Sequence, residues 1–491
     1  MMDISYPDRT IYPKINQYFC SMLNIGQNND TICALSTANG IGAIGLIRIS
    51  GKDALSIVST ISSKDLTEKN SHTAHFSLVK NSAGEIIDEV LITIFSKGKS
   101  FTGEEIAEIG CHGSPFIQQQ IIQLLVANGC RMAEPGEFTM RAFMNGKMDL
   151  SQAEAVADLI ASQSRNAHNI AMKQMRGGFS NELKDIREKL INFASLIELE
   201  LDFGEEDVQF ADRTQLNKMV NDVLAYIQRL ARSFDLGNAI KNGVPVAIVG
   251  APNTGKSTLL NTLLGEDRAI VSNIEGTTRD VIEETLNING IIFRLIDTAG
   301  IREGAETIEA MGIERSLEKI KSAQIVLVMS DYSEEGSKVE GHSSMDTKTA
   351  AEWVEQLQTE YPEKKFLLIG NKSDLRKASS PSILISSSTF HAISAKAGKG
   401  IDELRSWMEE QVLGNFDLAN DTIVSNARHH DALTKTEASL QSAKNGLEND
   451  VSSDFVAMDI RQAMYQLGTI TGDISSDEIL GNIFSRFCIG K

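Results

Sequence analysis

Hydrophobic residues between positions 30 and 147 change periodicity several times, as they do in domains that mix strands and helices. Short apolar runs at 44–49 and 90–95 predict strands, whereas the spacing between 116 and 127 predicts a helix. Both patterns within one stretch predict a compact α+β module. Residues 1–29 have no such periodicity, and we expect them to be a disordered or extra N-terminal extension.

Apolar positions further along the chain recur every three or four residues, which is typical of amphipathic helices. One such stripe runs from Leu183 to Leu201, and another runs from Val456 to Leu467. The segment between them instead contains short apolar runs that predict buried strands. The two helical blocks therefore predict one helical-bundle domain that is interrupted by an inserted domain.

The expected fold is multidomain α/β plus α, with an N-terminal α+β module, a helical bundle and an inserted domain of mostly parallel sheet flanked by helices. At 491 residues the chain exceeds the size of a single core, so several domains are expected. The predicted boundaries are 30–147 for the N-terminal domain, 148–242 and 414–491 for the helical domain, and 243–413 for the inserted domain.

Residues 250–258 read Gly-Ala-Pro-Asn-Thr-Gly-Lys-Ser-Thr, between a predicted strand and a predicted helix. The two glycines let backbone N–H groups approach phosphate oxygens where a Cβ would obstruct them. A lysine at this position reaches the β- and γ-phosphates, and the following hydroxyl can bind Mg²⁺. The residues predicted to cradle nucleotide phosphates are Asn253, Thr254, Gly255, Lys256, Ser257 and Thr258.

Two later motifs identify the nucleotide. An Asp-x-x-Gly sequence ends a predicted strand, as in GTPases that hold Mg²⁺ and the γ-phosphate there. The Asn-Lys-Ser-Asp sequence at 371–374 supplies a carboxylate that can accept two hydrogen bonds from guanine, a donor pair that adenine lacks. This order of motifs predicts a Ras-like P-loop GTPase domain. Its further nucleotide contacts are Asp297, Thr298, Ala299, Gly300, Asn371, Lys372, Asp374, Ser394, Ala395 and Lys396.

Ile301 occupies the position where Ras-like GTPases carry the glutamine that orients the attacking water. An isoleucine side chain cannot orient a water molecule, and no arginine finger is evident nearby. Either the domain hydrolyses GTP poorly, or another residue positions the water. The segment 302–309 offers three carboxylates for that role.

Further motifs resemble the bacterial tRNA-modification GTPases of the MnmE family, also called TrmE. The terminal Cys-Ile-Gly-Lys is the most specific of them, and the resemblance covers residues 30–491. The segments that carry it are Gly-Leu-Ile-Arg-Ile-Ser-Gly at 45–51, Phe-Thr-Gly-Glu-Glu at 101–105, Pro-Gly-Glu-Phe at 135–138, Arg-Ala-Phe at 141–143, Gly-Thr-Thr-Arg-Asp at 276–280, Asp-Thr-Ala-Gly-Ile-Arg-Glu at 297–303, Gly-Ile-Glu-Arg at 312–315 and Arg-Phe-Cys-Ile-Gly-Lys at 486–491.

The resemblance implies that K⁺ takes the place of an arginine finger, and that hydrolysis requires a catalytic glutamate. The glutamate corresponds to Glu309, which would otherwise be an ordinary solvated carboxylate on a helix. Ser257 and Thr278 are expected to bind Mg²⁺. The implied K⁺ ligands are Asn253, Ser272, Ile274 and Thr277, and Ser272, Thr277 and Thr278 are also expected to contact GTP.

The resemblance also implies a tetrahydrofolate one-carbon donor, as the 5,10-methylene or 5-formyl derivative. A carboxylate can accept hydrogen bonds from a pterin, and cations suit the glutamyl tail. The implied folate ligands are Arg48, Glu108, Lys147 and Lys491. Cys488 is a candidate for handling the one-carbon unit, and the alternative is a small apolar residue near the chain end.

The family further implies a homodimer that acts on the wobble uridine (U34) of tRNA with a flavoprotein partner, MnmG (GidA), in a heterotetramer or larger complex. A net charge of −19 disfavours direct RNA binding, so either a local basic patch is hidden in the average or the partner carries most of the tRNA. We expect the partner to carry it, because the sequence contains no Lys/Arg block with interleaved aromatic residues. Five cysteines without a C-x-x-C pair, and no signal peptide or apolar span, predict a cytoplasmic protein that has free thiols and does not insert in a membrane.

A second function remains open at this point. The chain could be a regulatory GTPase switch of the ribosome-assembly type, without a role in modification chemistry. Such a switch would need neither the N-terminal module nor the terminal Cys-Ile-Gly-Lys, and folate binding separates the two alternatives.

Overall fold

The chain forms two compact units in a computed structural model. The first contains residues 30–157 together with 468–490, and the second contains residues 158–467. Within these limits the structure describes residues 30–202, 213–267, 284–296, 317–333, 347–376, 390–414, 416–418, 420–449, 451–475, 477–485 and 487–490.

The first unit is built on a six-stranded sheet of order β3-β4-β5-β2-β1-β6, in which only the β1–β6 pair is parallel. Alternating apolar residues give each long strand one buried face. The strands are β1 Thr31–Leu35, β2 Ile44–Ser50, β3 Thr73–Lys80, β4 Ile86–Phe95, β5 Ile106–His112 and β6 Cys130–Met132.

Two helices, α1 (Ala54–Ile61) and α2 (Pro115–Ala127), bury their apolar positions in the same core as one face of this sheet. The opposite face carries exposed apolar residues. Phe76 and Leu91 lie opposite each other on β3 and β4, and each is more than half exposed, at 55% and 51%. The sheet therefore has one face that is covered by helices and one that is partly apolar and open in the single chain.

Among its described residues, the first unit also contains α3 Glu137–Met144, the start of α4 Leu150–Ala161, and α13 Asp477–Phe484. Phe484 and Phe487 from the C-terminal segment are buried with Leu150 in one apolar cluster. Gly136, which precedes α3, has a φ of 69°, and a Cβ there would lie 2.6 Å from the Phe484 carbonyl oxygen. The C-terminal segment thus packs closely on the N-terminal residues.

The second unit contains long helices, which come from both sides of the nucleotide-binding motifs. Leu183, Ile186 and Leu190 are buried on one face of α6, as the helical spacing predicts. The helices are α5 Arg165–Met175, α6 Gly178–Asp202, α7 Arg213–Asn242, α11 Ala427–Glu448 and α12 Ser453–Thr471.

A second six-stranded sheet, of order β12-β11-β10-β7-β9-β8, lies between those helical blocks in sequence. All of its pairs are parallel except β8–β9. Its strands are β7 Val244–Gly250, β8 Glu284–Ile288, β9 Ile291–Leu295, β10 Ile325–Asp331, β11 Lys365–Asn371 and β12 Phe390–Ala392. Its helices are α8 Lys256–Asp267, α9 Thr347–Glu360 and α10 Ile401–Leu413.

The central strands of this sheet are apolar over most of their length because both faces are covered. Val246 and Leu327 are buried in one cluster with α8 and α10, and Val326 and Leu368 are buried in another with α9. A parallel sheet buried on both faces places its strand ends along one edge, where ligands bind in open α/β folds. The nucleotide motifs follow the ends of these strands.

Candidate functional site

The phosphate loop joins the end of β7 to the start of α8, and its glycines sit where side chains cannot. Gly250 has a φ of 149°, and a Cβ there would lie 2.3 Å from the Met329 carbonyl oxygen. Gly255 has a φ of 95°, and its Cβ would lie 2.2 Å from Nδ2 of Asn371. Asn253 is also left-handed, with a φ of 61°. The loop is therefore a backbone cradle closed in by neighbouring strands.

Lys256 and Thr254 fix the loop from within. The Lys256 ammonium donates hydrogen bonds to the carbonyl oxygens of Gly250 (3.0 Å) and Ala251 (2.9 Å). The buried Thr254 hydroxyl donates to the Ala251 carbonyl oxygen at 2.9 Å. Ser257 lies exposed in the first turn of α8. A cation and a helix N-terminus at one loop form a site for an anion such as phosphate.

Asn371 connects this loop to the loop that follows β12. Its Nδ2 donates to the Thr254 carbonyl oxygen at 2.8 Å, and its Oδ1 accepts from the Ala395 N–H at 2.9 Å. The side chain is buried, so both hydrogen bonds are shielded from water. The structure thus brings together three segments that are far apart in sequence, which are 253–258, 371–374 and 394–396.

Asp374 is presented on an exposed 3₁₀ turn, Ser373–Leu375, beside Ser394. A hydrogen bond from Ser394 lowers the pKa of Asp374 below its ordinary value, and the charge of Lys396 acts in the same direction. The carboxylate is therefore ionised at neutral pH, and both oxygens can accept hydrogen bonds. This is the state that reading guanine N1 and N2 requires.

Lys372, between Asn371 and the 3₁₀ turn, forms an ion pair with Asp331. Its Nζ lies 2.6 Å from Oδ2 of Asp331, the last residue of β10. Burial raises the pKa of Asp331, but the hydrogen bonds from Lys372 and Ser333 outweigh burial and hold the pKa below its ordinary value. Sequence reasoning did not identify Asp331, because its role depends on the pairing of β10 with β11.

Several residues predicted to bind the nucleotide or a metal, or to act in catalysis, lie outside the described residues. They include the glutamate expected to position water and the whole Asp-x-x-Gly motif. These residues are Ser272, Ile274, Thr277, Thr278, Asp297, Thr298, Ala299, Gly300 and Glu309.

In the first unit, Arg48 and Glu108 face each other across β2 and β5. Nε and Nη2 of Arg48 lie 2.9 Å and 2.8 Å from Oε1 of Glu108, and both side chains are 19% exposed. The guanidinium carbon is 5.5 Å from the ring centre of Phe101 and 5.8 Å from that of Phe138. The Arg48 guanidinium thus lies near two aromatic rings at the partly open face of the sheet.

Lys147 lies beside the loop that carries Phe101. Its exposed Nζ donates to the Gly98 carbonyl oxygen at 2.9 Å. Asn145 donates to the Thr102 carbonyl oxygen at 2.7 Å from the same side. Arg48, Glu108 and Lys147 are thus connected through one loop, which contains the Phe-Thr-Gly-Glu-Glu motif.

The C-terminal segment reaches the end of β1. The Ser36 hydroxyl donates to the Gly490 carbonyl oxygen at 3.1 Å. Gly490 has a φ of 94°, and a Cβ there would lie 2.3 Å from the Leu35 carbonyl oxygen. Cys488 is an exposed free thiol, whereas Lys491 lies outside the described residues. The terminal motif therefore approaches β1, which pairs directly with the strand that carries Arg48.

A buried ion cluster supports this region, and sequence reasoning missed it. Arg141 on α3 bonds to Asp30, Glu104 and Glu137, and its side chain is only 8% exposed. Burial lowers the pKa of Arg141, but the surrounding carboxylates outweigh burial and raise it. Ser50 on β2 also donates to Glu104, at 2.7 Å. Glu104 and Glu137 lie in motifs that carry the family resemblance, and those motifs were the signal in the sequence that could have indicated the cluster.

Metal-binding clusters and membrane-spanning helices are both absent from the described part of the chain. It contains no group of three or more His, Cys, Asp or Glu residues arranged to hold a metal ion. No helix within the described residues is both long enough and apolar enough to span a membrane.

Comparison with known proteins assigns the family. The family model for the MnmE helical domain matches residues 150–488, and that for the GTP-binding protein TrmE N-terminus matches residues 31–147. The tRNA modification GTPase MnmE of Flavobacterium johnsoniae is 52% identical over 473 residues, which cover 94% of this chain and 100% of that protein. The chain belongs to the MnmE family of tRNA modification GTPases. The MnmE of Flavobacterium psychrophilum is also 52% identical, over 94% of this chain and 99% of its own length.

Membership in the MnmE family confirms the resemblance inferred from the motifs and the predicted fold class. The chain is a GTPase of tRNA modification, with GTP as its substrate. Among solved structures, the FeoB G domain of Methanococcus jannaschii is similar at 23% identity and a TM-score of 0.23, over 34% of this chain and 97% of that domain. A likeness at this level adds nothing to the assignment. The domain boundaries and individual site residues stay predictions.

Proposed function

We propose that this MnmE-family chain couples GTP hydrolysis to modification of the wobble uridine (U34) of tRNA. The product is a carboxymethylaminomethyl or aminomethyl group at uridine C5. Its one-carbon unit comes from a tetrahydrofolate derivative, and the flavoprotein MnmG acts as partner. The GTPase role follows from the family, whereas the folate, the partner and the chemistry at C5 are proposals.

GTP would bind with its phosphates on residues 253–258 and its guanine against Asn371 and Asp374. The fit is supported by the glycine cradle at Gly255, where a Cβ would lie 2.2 Å from the Asn371 amide. Mg²⁺ would be held by Ser257 and Thr278, and it would neutralise phosphate charge.

K⁺ would be held by Asn253 together with Ser272, Ile274 and Thr277. It would stabilise the charge that develops on the phosphate oxygens, which is the task of an arginine finger. Asn253 supports this proposal through its place in the phosphate loop and its left-handed backbone, with a φ of 61°. Glu309, which corresponds to the catalytic glutamate of the family, would orient the attacking water in place of Ile301.

The folate site would consist of Arg48, Glu108, Lys147 and Lys491. The donor set fits this ligand, because a carboxylate can accept from the pterin N–H groups while the cations attract the glutamyl tail. The folate would supply the one-carbon unit when bound. Cys488, which is exposed as a free thiol, remains a candidate for contact with that unit.

The observation that carries the folate proposal is the packing of the C-terminus against β1. Ser36 and Gly490 are 454 residues apart, yet their side-chain hydroxyl and carbonyl oxygen lie 3.1 Å apart. A regulatory switch has no evident need for this long-range contact beside Arg48. The contact brings the Cys-Ile-Gly-Lys segment to the strand adjacent to the Arg48–Glu108 pair.

The protein would act as a homodimer through its N-terminal module. The open sheet face with Phe76 and Leu91 supports this proposal, since exposed apolar patches commonly mark interfaces. MnmG would join in a heterotetramer or larger complex in the cytoplasm. It would carry most of the tRNA, because the net charge of −19 repels RNA.

Folate titration separates this function from a regulatory GTPase switch of the ribosome-assembly type. The purified chain should bind 5-formyltetrahydrofolate, and Glu108→Gln should weaken binding while GTP affinity stays unchanged. Glu105→Gln, in the loop that immediately precedes β5, serves as the matched control. If the wild-type chain binds GTP but no folate, the regulatory switch becomes the better interpretation.

A further inference from the structure

Asp331 ends β10 beside the guanine motif, and its side chain bonds both its own loop and Lys372. Its Oδ1 accepts hydrogen bonds from the Ser333 N–H at 2.9 Å and the Ser333 hydroxyl at 2.6 Å. Its Oδ2 accepts from Lys372 Nζ at 2.6 Å. Asp331 is paired in register with Asn371 across the parallel strands β10 and β11. The carboxylate therefore lies between its own loop and the start of the guanine motif.

Lys372 has a backbone conformation that needs such support. Its φ of 65° and ψ of 33° lie in the left-handed region, which residues other than glycine rarely adopt. Conformations of this kind persist where the surrounding structure enforces them, and they concentrate at functional sites. Lys372 is the residue at which the chain leaves β11 and enters the turn that carries Asp374. Its conformation therefore determines where that carboxylate points.

The ion pair fixes the far end of the Lys372 side chain. The Asp331 side chain is only 17% exposed, so solvent screens the pair less than it screens pairs on an open surface. The Ser333 hydrogen bonds hold the carboxylate in place, and it cannot follow the lysine if the turn moves. The Asp331 carboxylate fixes the ammonium of Lys372, and the left-handed backbone fixes its main chain. Both limit how far the turn can move.

The next residue along the chain strengthens the same support. The Tyr332 N–H donates to the Asn371 carbonyl oxygen at 2.8 Å, and the guanidinium of Arg376 lies 3.9 Å from the centre of the Tyr332 ring. Residues on both sides of the 3₁₀ turn therefore contact the segment 331–333. The segment 331–333 thus packs against the guanine motif on both sides of the turn.

We propose that Asp331 is a positioning residue for guanine recognition. It acts through Lys372, whose turn it holds so that the Asp374 carboxylate meets both N1 and N2 of the base. The inference rests on the proposed function, since it requires a guanine nucleotide at Asn371 and Asp374.

Asp331→Asn tests this role with little change in shape. The asparagine Oδ1 can still accept from Ser333, but its Nδ2 cannot accept from the Lys372 ammonium. The measurement is the Kd for GDP and for inosine diphosphate, which lacks the 2-amino group. We expect GDP binding to weaken about tenfold on loss of the charged hydrogen bond, and inosine diphosphate, which keeps only the N1–H contact, to weaken less. The preference for GDP over inosine diphosphate should therefore fall.

Two variants complete the experiment. Glu355→Gln, at an exposed position on α9, should leave both affinities unchanged. Lys372→Met should reduce the preference for GDP, and adding Asp331→Asn to Lys372→Met should cause no further loss. A merely structural role for Asp331 would weaken both nucleotides alike and would add to the Lys372→Met effect.

The outcomes separate this inference from the function on which it rests. A wild-type chain that binds GDP no better than inosine diphosphate would overturn the guanine site, and the inference with it. A wild-type chain with normal discrimination, and an Asp331→Asn variant that matches it, would overturn the inference alone. Equal loss of both nucleotides in the variant would also overturn it.

Discussion

Replacing Gly490 with alanine tests whether the packed C-terminus serves the folate site. A Cβ at this position would lie 2.3 Å from the Leu35 carbonyl oxygen and 3.1 Å from the Ser36 Cα. Both atoms belong to the backbone at the end of β1, so they cannot rotate away as a side chain could. The last residues of the chain must therefore move off β1.

Two contributions set the size of the effect. The hydrogen bond from the Ser36 hydroxyl to Gly490 spans 3.1 Å, and losing such a bond costs about 1 kcal/mol. Holding a residue with a Cβ at a positive φ costs about 1 kcal/mol more. The sum of about 2 kcal/mol corresponds to about a 30-fold shift toward the unpacked tail. Phe487 is 9% exposed in the cluster with Phe484, so the displacement should stop there.

The assay is calorimetric titration with 5-formyltetrahydrofolate and, separately, with GTP. Gly490→Ala should weaken folate binding by up to about 30-fold and leave GTP affinity unchanged. Deleting residues 489–491 should weaken it at least as much. Gly481→Ala is the matched control, because a Cβ at that helical position meets nothing within 4 Å. Wild-type folate affinity in Gly490→Ala would refute the reasoning.

Three further predictions concern catalysis, nucleotide binding and stability. Exchanging K⁺ for Na⁺ should abolish fast GTP hydrolysis. It should also abolish the contact between the GTPase domains of the two subunits that forms in the presence of GDP and aluminium fluoride. Glu309→Ala should keep that association but slow hydrolysis on the order of 10²-fold, and equal rates in both salts would contradict the K⁺ site. Gly255→Ala places a Cβ 2.2 Å from the Asn371 amide, so fluorescent GTP should no longer bind while folate still does. Burial raises the pKa of Asp30, but two arginines outweigh burial and lower it. Its stabilising contribution is therefore complete above about pH 4 and lost as pH falls through the lowered pKa. Asp30→Asn should be less stable than the wild-type chain at pH 7 and should lose less stability on acidification. Thermal unfolding at each pH measures this, and equal losses in variant and wild type would count against the pairing of Asp30 with the arginines.

Short motifs could be read from the sequence because their chemistry resides in neighbouring residues. The phosphate loop needs its glycines and lysine at a fixed spacing, and in the structure Gly255 and Lys256 lie where that loop meets α8. The way in which separate motifs meet could not be read in the same way. The Asn371 amide bonds to the Thr254 carbonyl oxygen and the Ala395 N–H, which depends on the order of parallel strands.

The proposed folate site was beyond reasoning from composition or periodicity alone. Arg48 and Glu108 are 60 residues apart and meet only because β2 and β5 pair in one register. Family resemblance nominated both residues, but not the rings of Phe101 and Phe138 that flank Arg48. The Arg141 ion cluster was missed for the same reason, since its partners come from three separate segments.

The most direct test of the central claim is mass spectrometry of wobble uridines in tRNA from cells that lack this protein. Cells complemented with the wild-type chain should contain the carboxymethylaminomethyl or aminomethyl group at uridine C5. Cells complemented with Lys256→Ala, Glu108→Gln or no protein should lack it. An unchanged modification in cells without the protein would contradict a role for this chain at U34. An unchanged modification in cells with Glu108→Gln would contradict the role of the folate site.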